Sequence, residues 1–327
     1  MATPLVSVLM TAFNREAFLA ASIESVLAQS LGDFELIITD DRSSDATVAV
    51  AQEYARRDSR IRVHVNARNL GDYANRNYAA SLASGEFLKY HDSDDILYPH
   101  CLAVMTACLA AEPRAGFGLS TGSSWPGGPA PMLSTPRMSY QREFLGHGAF
   151  NAGPAGALFR THVFRELGGF DDHGAASDYV FWLRACATYP VVLLPADLFW
   201  YRVHSGQSLQ SAAGAGAYAR VPGHTWRALL SADCPLTAEE REQARRNIAF
   251  ATAKQTWRSA RSGHWRIAYL RLRHAGITPG EWLTYLRRPR RSALAGTPLD
   301  ARGDYLVPSW FRMPRAGVTS APPSADT

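Results

Sequence analysis

Acidic residues gather where extended segments end, a placement that suits the handling of a phosphorylated ligand. In His91-Asp92-Ser93-Asp94-Asp95, side chains alternate along an extended segment, so Asp92 and Asp94 are expected on one side. Two carboxylates there, with no Lys or Arg beside them, repel unless something positive sits between them. A hard divalent cation, Mg²⁺ or Mn²⁺, meets that need, because it takes one or two carboxylates and leaves room for substrate phosphates. The competing reading is that Asp94 or Asp95 caps a helix beginning near Pro99. Asp40-Asp41 ends another extended run just before Ser43 and Ser44. One of these carboxylates can accept from a nucleotide base N–H, with Thr11 and Asn14 serving the same pocket; a plain turn is the alternative.

Three further clusters share this ambiguity. Asn69-Leu70-Gly71 runs into a helix that carries Arg76, a pattern for anion binding or for a merely solvated arginine. Asp178 opens the helix of Phe181, Trp182 and Leu183, where a carboxylate caps free N–H groups or faces a cleft as a general base. Along Tyr201-Arg202-Val203-His204, Arg202 and His204 share a face and reach toward a diphosphate or metal, unless the histidine is structural.

The elements that must position these residues alternate. Leu5–Met10, Phe34–Thr39, Ile61–Asn66 and Glu86–His91 read as strands, and Arg15–Gln29, Ala46–Arg57 and Tyr73–Ala83 as helices. Such alternation predicts a largely parallel sheet with covering helices and a ligand at the carboxyl ends of the strands, where the acids fall. Ser120–Pro136 reads as a loop that covers or lines a site, and Gly146–Gly156 as a second loop bearing on the acceptor. A helix from Asp178, strands at Val191–Leu194 and Leu198–Val203, and a linker at Ser211–Gly216 follow. Beyond it, Thr237 with Glu240 and Thr278 with Glu281 signal helix starts, the second opening Trp282–Arg288. The organisation expected is a catalytic domain over 1–212 (halves 1–98 and 99–212), a basic helical region over 213–291, and a disordered tail over 292–327.

Charge separates the same regions. Residues 1–219 carry 16 Lys+Arg against 21 Asp+Glu, a net −5, whereas the remainder carries 18 against 8, a net +10. Trp265, Ala268, Tyr269 and Leu272 form a helical stripe among Arg266, Arg271, Arg273 and His274, with Arg287, Arg288, Arg290 and Arg291 beyond. That region is expected to pack its stripe on the catalytic domain, or to touch anionic lipid peripherally. Nucleic acid is not expected, since no nucleic-acid module accompanies the charge. The 4 cysteines make no C-x-x-C pair and read as buried apolar residues in a reducing compartment. With no signal peptide pattern and no apolar run near the roughly 18 residues of a membrane span, a cytoplasmic location is expected.

The order of the clusters is more specific than any one of them. VSVLMTAFNRE, FELIITDDRSSDAT and NLGDYANRNYAASLASGEFLKYHDSDD, followed by GALFRTHVFRELGGFDD, the Asp178 helix and YRVHSGQS, resemble family-two inverting glycosyltransferases over roughly Pro4 to Ser211. The resemblance implies a GT-A fold: α/β, a Rossmann-like mixed sheet with covering helices, here with a C-terminal helical appendage. It implies nucleotide contacts at Thr11, Ala12, Phe13, Asn14, Arg15, Asp41, Arg76, Asp92 and Ser93, and a metal at Asp92, Asp94 and His204. Asp178 is then the catalytic base, with Arg202 and Ser208 as phosphate or donor contacts. The donor implied is a nucleotide diphosphate sugar, UDP-linked, and the acceptor a saccharide, lipid-linked or other hydroxyl. One departure is visible, because Ser177 stands where the family often has a glutamate before the base. A sugar-phosphate nucleotidyltransferase would need a glycine-rich loop after the first strand, and a nicotinamide dehydrogenase a G-x-G-x-x-G there; TAFNRE provides neither. The remaining alternative is a non-catalytic relic that binds nucleotide or a partner.

Overall fold

The computed structural model describes residues 3–120, 130–146, 148, 150, 152–204 and 212–287. Its first half alternates as the periodicity requires: β1 (Val6–Ala12), α1 (Leu19–Leu27), β2 (Phe34–Asp40), α2 (Thr47–Arg57), β3 (Ile61–Val65), α3 (Asp72–Ser81) and β4 (Phe87–Asp92). Then come β5 (Ile96–Leu97), α4 (Cys101–Ala110), β6 (Phe117–Leu119), β7 (Met132–Ser134), α5 (Pro136–Phe144) and β8 (Ala157–Arg160). The domain continues with α6 (Thr161–Glu166), α7 (Ser177–Thr188), β9 (Val191–Leu193) and β10 (Phe199–Trp200). Helices α8 (Ala212–Tyr218), α9 (Val221–Leu230), α10 (Ala238–Arg261), α11 (Trp265–His274) and α12 (Pro279–Arg287) complete the described chain.

The main sheet has the order β3-β2-β1-β4-β8-β6-β9-β7 and is mixed. β1 pairs in parallel with β2 and β4, whereas β8 runs antiparallel to β4. Both faces are covered, so the central strands are apolar almost throughout. Val6, Val8, Met10, Leu36 and Ile38 pack with α1 and α4, while Leu9, Ile37, Leu88 and Tyr90 join the aromatic core on the other face. Register then sets the site: Thr11 lies opposite Thr39 on one side and Asp92 on the other.

Three expectations are corrected here. β4 ends at Asp92 and the chain turns, with Asp95 N donating to the Asp92 carbonyl at 3.1 Å, so Asp94 is not on the strand and alternation does not place it. Residues 212–216, read above as linker, begin α8, as their alanines permit. The stripe on α11 does not pack as a whole. Ala268 is buried, but Trp265, Tyr269 and Leu272 are 69%, 59% and 50% exposed. The capping box at Thr237 and Glu240 does open α10. All 4 cysteines are free and buried. Among the described residues no helix is long and apolar enough to cross a membrane. Arg288, Arg290, Arg291 and the tail over 292–327 lie outside the described residues, as does much of the Ser120–Pro136 loop.

Candidate active site

At the carboxyl ends of β1, β2 and β4 the chain forms a cleft of about 430 Å³. Thr11, Ala12, Phe13, Arg15, Asp41, Arg76, Asp92, Ser93, Asp94 and Asp178 all line it. Asn14, Arg202 and His204 are not among its lining residues, and Ser208 lies outside the described residues. Asn14 adopts a left-handed backbone (φ 52°), which asparagine tolerates better than most residues. Its N–H donates to Ser43 Oγ (2.8 Å) and its Oδ1 accepts from Ser44 N (2.9 Å), tying the loop after β1 to the loop after β2.

Asp41 organises the third loop. Its carboxylate accepts from Asn66 Nδ2 (2.9 Å), Leu70 N (2.7 Å) and Gly71 N (2.9 Å). A carboxylate offers about four lone-pair sites, so one is left toward the cleft. Gly71 has φ 88°, a conformation that favours glycine, which is why the turn reads Asn-Leu-Gly. From that loop α3 carries Arg76, which is not the solvated arginine of the bland reading but only 7% exposed. Its Nε donates to Asp72 (2.8 Å) and its Nη2 to Asp92 (2.7 Å), while the buried Nη1 has no partner among the described residues. Burial opposes its charge, but Asp72 and Asp92 outweigh that and hold the guanidinium protonated.

The turn after β4 concentrates negative charge. Asp94 Oδ2 takes Arg15 Nε at 3.0 Å and His204 Nε2 at 2.9 Å. Arg202 does not face the cleft as expected of a donor contact. Its N–H donates to Asp95 Oδ1 (3.0 Å) and its Nε to the Asp94 carbonyl (2.7 Å), so it pins the turn from behind. Asp95 Oδ2 is buried without a partner among the described residues, and burial together with Asp92 pushes that carboxyl up to about 8. Neither Asp94 nor Asp95 caps α4, whose capping position is His100. Among the described residues no three His, Cys, Asp or Glu side chains converge as a metal cage. Asp94 and His204 do meet, however, beside an orphaned carboxylate oxygen, and that donor set fits a cation completed by substrate phosphates.

Asp178 enters the cleft from α7. Phe181 and Trp182 anchor that helix on Phe159, the Trp182 and Phe159 rings stacking at 5.7 Å. The capping position is Ala176, so Asp178 sits within the first turn rather than at the cap, and among the described residues its carboxylate accepts only from Tyr179 N (2.6 Å). Burial pushes its carboxyl up to about 6. Ser177 replaces a charge with a brace, accepting from His173 N and donating to the Gly174 carbonyl, both at 2.8 Å.

Comparison with known proteins bears on the family and the fold. The profile of glycosyl transferase family 2 matches residues 7–168. The chain belongs to that family. An Escherichia coli relative, UDP-Glc:alpha-D-GlcNAc-diphosphoundecaprenol beta-1,3-glucosyltransferase WfgD, is 44% identical over 92 residues, which are 28% of this chain and 36% of that one. The match spans well under half the length of that relative and of others at similar identity. Among solved structures, S. aureus TarS 1-349 in complex with UDP-GlcNAc superposes with a TM-score of 0.59 at 18% identity, covering 74% of this chain and 71% of that one. The mannosyltransferase PcManGT from Pyrobaculum calidifontis, in complex with GDP-Man and Mn2+, gives 0.54 at 20% identity over 87% and 85%. The fold is therefore GT-A.

Several residues of the cleft escape a reading by motif. Tyr73, Tyr201 and Tyr218 line it, and Tyr218 comes from the helix that composition disguised as linker. Lys89 is fully buried and donates to the Tyr90 carbonyl (2.8 Å) and to that of Ala155. It thereby holds the loop whose Gly153 and Pro154 form the cleft wall. Its signal was present, a lysine inside the apolar strand FLKYHD.

Proposed function

We propose that this glycosyltransferase moves a sugar from a UDP-linked donor onto an acceptor hydroxyl, inverting the anomeric carbon, in surface polysaccharide or glycoconjugate synthesis. The observation that carries the reading is that Thr11, Asp41, Arg76, the Asp92–Asp94 turn and Asp178 all line one cleft. The names of the E. coli relative and of the TarS complex, both with uridine donors, favour UDP. The lone pair that Asp41 keeps free receives a base N–H, and Arg76 stands toward the phosphates. Asp178 takes the proton of the acceptor hydroxyl as its oxygen bonds to the anomeric carbon. The bond from that carbon to the diphosphate breaks, and its electron pair stays on the phosphate oxygen. Asp94 and His204, with Asp92, would hold a divalent cation, whose charge would offset that of the diphosphate.

The test of the donor side is UDP titrated calorimetrically with and without Mn²⁺. The wild type should bind more tightly with Mn²⁺, and Asp94→Ala should abolish the difference. Loss of a ligand should cost at least the roughly 10–100-fold that loss of an outer-shell partner costs a metal site. A wild type indifferent to Mn²⁺ would refute the metal assignment. The acceptor is read as membrane-proximal, because Trp257, Trp265 and Tyr269 stand exposed among the arginines of α10 and α11. Anionic vesicles should therefore co-sediment the protein better than neutral ones, and no preference would count against that reading.

A further inference from the structure

A second cavity, of about 1110 Å³, opens between the 172–174 loop and helices α8, α9 and α11. We infer that it is an anion subsite that holds the phosphate or diphosphate group of the acceptor, an inference that rests on the transfer reading above. Arg220, Arg227 and Arg266 line it, with His173, His224, His264 and His274, and the sole acid in its lining is Asp172. None of the three arginines pairs with a carboxylate among the described residues. His173 and His224 bring their rings to 4.4 Å, and Arg227 Nη2 bonds His224 Nδ1 at 3.1 Å. Burial and the surrounding His173, Arg227, Arg220 and His274 push His224 down to about 4, the mark of positive charge gathered without a counterpart. An anion supplies that counterpart, and arginines give it charge-assisted hydrogen bonds.

The cavity stands next to the chemistry. Gly174 lines it and Ala175 lines the donor cleft; Ala217 lines it and Tyr218 lines the donor cleft. Two pairs of adjacent residues thus form a common wall, and Asp178 follows within one turn of helix. An acceptor whose hydroxyl meets Asp178 can place its phosphate across that wall. The walls are preset. Ser177 braces the 173–174 turn, and Gly223 on α9 lies so close to the His274 carbonyl that a Cβ would overlap it. Trp265, Ile267 and Leu270 give the same cavity an apolar side, suited to the chain of a lipid phosphate.

Geranyl phosphate and inorganic phosphate, titrated by calorimetry into protein saturated with UDP and Mg²⁺, test the subsite. Geranyl phosphate should bind the wild type, and the variant R220S/R227S/R266S should weaken it about tenfold or more with UDP affinity unchanged. These arginines are exposed, so the variant should fold. Tighter binding of geranyl phosphate than of inorganic phosphate identifies a lipid-borne group, and equal binding a soluble phosphorylated acceptor; either outcome supports the site. Equal affinity in wild type and variant, or no binding of either probe, overturns it. If UDP itself fails to bind the wild type, the donor reading falls instead, and the same titration without nucleotide still decides the subsite.

Discussion

Asp178→Asn is expected to lower sugar transfer by about 10²–10⁴-fold while UDP binding stays near the wild-type value. The side chain keeps its shape and loses only the capacity to take a proton. Asp178 lines the donor cleft from α7 and makes no hydrogen bond to Asp41, Arg76 or Asp92 among the described residues, so the amide leaves their bonds in place. Its carboxyl, pushed up to about 6 by burial, is a stronger base than an exposed aspartate near 3.9, yet is mostly ionised at pH 7. Turnover should accordingly fall as pH drops through about 6. The sign for stability is the opposite. Because the folded value lies above the unfolded one, the fold favours the protonated form. That contribution is full below about 3.9 and is lost as pH rises through about 6. The amide variant should therefore be no less stable than wild type at pH 8, measured by urea denaturation. Near-normal transfer by the variant would remove Asp178 from the mechanism, and an unstable variant would leave its lost activity as evidence of fold damage only.

The catalytic half was legible because its signals are local. β1, β2 and β4 bury both faces, so predominantly apolar runs betray them, and the acids at their ends mark where ligands gather. What eluded the sequence were contacts between distant segments. Nothing local reveals that Asp41 spends three of its acceptor sites on a loop 25–30 residues away, or that Arg202 braces the Asp94 turn from 108 residues on. Alternation placed Asp94 for a reason that fails, since the strand stops at Asp92; tertiary contacts to Arg15 and His204 hold it instead. The C-terminal helices were harder still. A stripe of Trp265, Tyr269 and Leu272 has helical spacing whether it meets a core, a ligand or a lipid surface, and periodicity alone cannot tell these apart. The anion cavity draws its basic residues from three separate segments, so no motif spells it.

Arg76→Met should destabilise the protein by about 3–5 kcal/mol, the cost of leaving buried charge without its partner. Methionine conserves most of the volume, so the loss reports charge rather than a cavity. The arginine is buried between Asp72 and Asp92, and it lowers the Asp92 carboxyl against the burial that would raise it. Without it, Asp92 faces Asp94 and Asp95 in one turn with no guanidinium paired to its own carboxylate. The Asp72 bond matters less, because that carboxylate is nearly half exposed and water can replace it. The pairing with Asp92 is therefore where the energy resides, and a second substitution can isolate it. Asp92→Asn added to Arg76→Met should recover part of the stability, whereas UDP binding should stay weakened, since the guanidinium assigned to the phosphates is still missing. A single variant that melts with the wild type would show that the pair contributes nothing to the fold. A stable double variant that still binds UDP would move the phosphate contact away from Arg76.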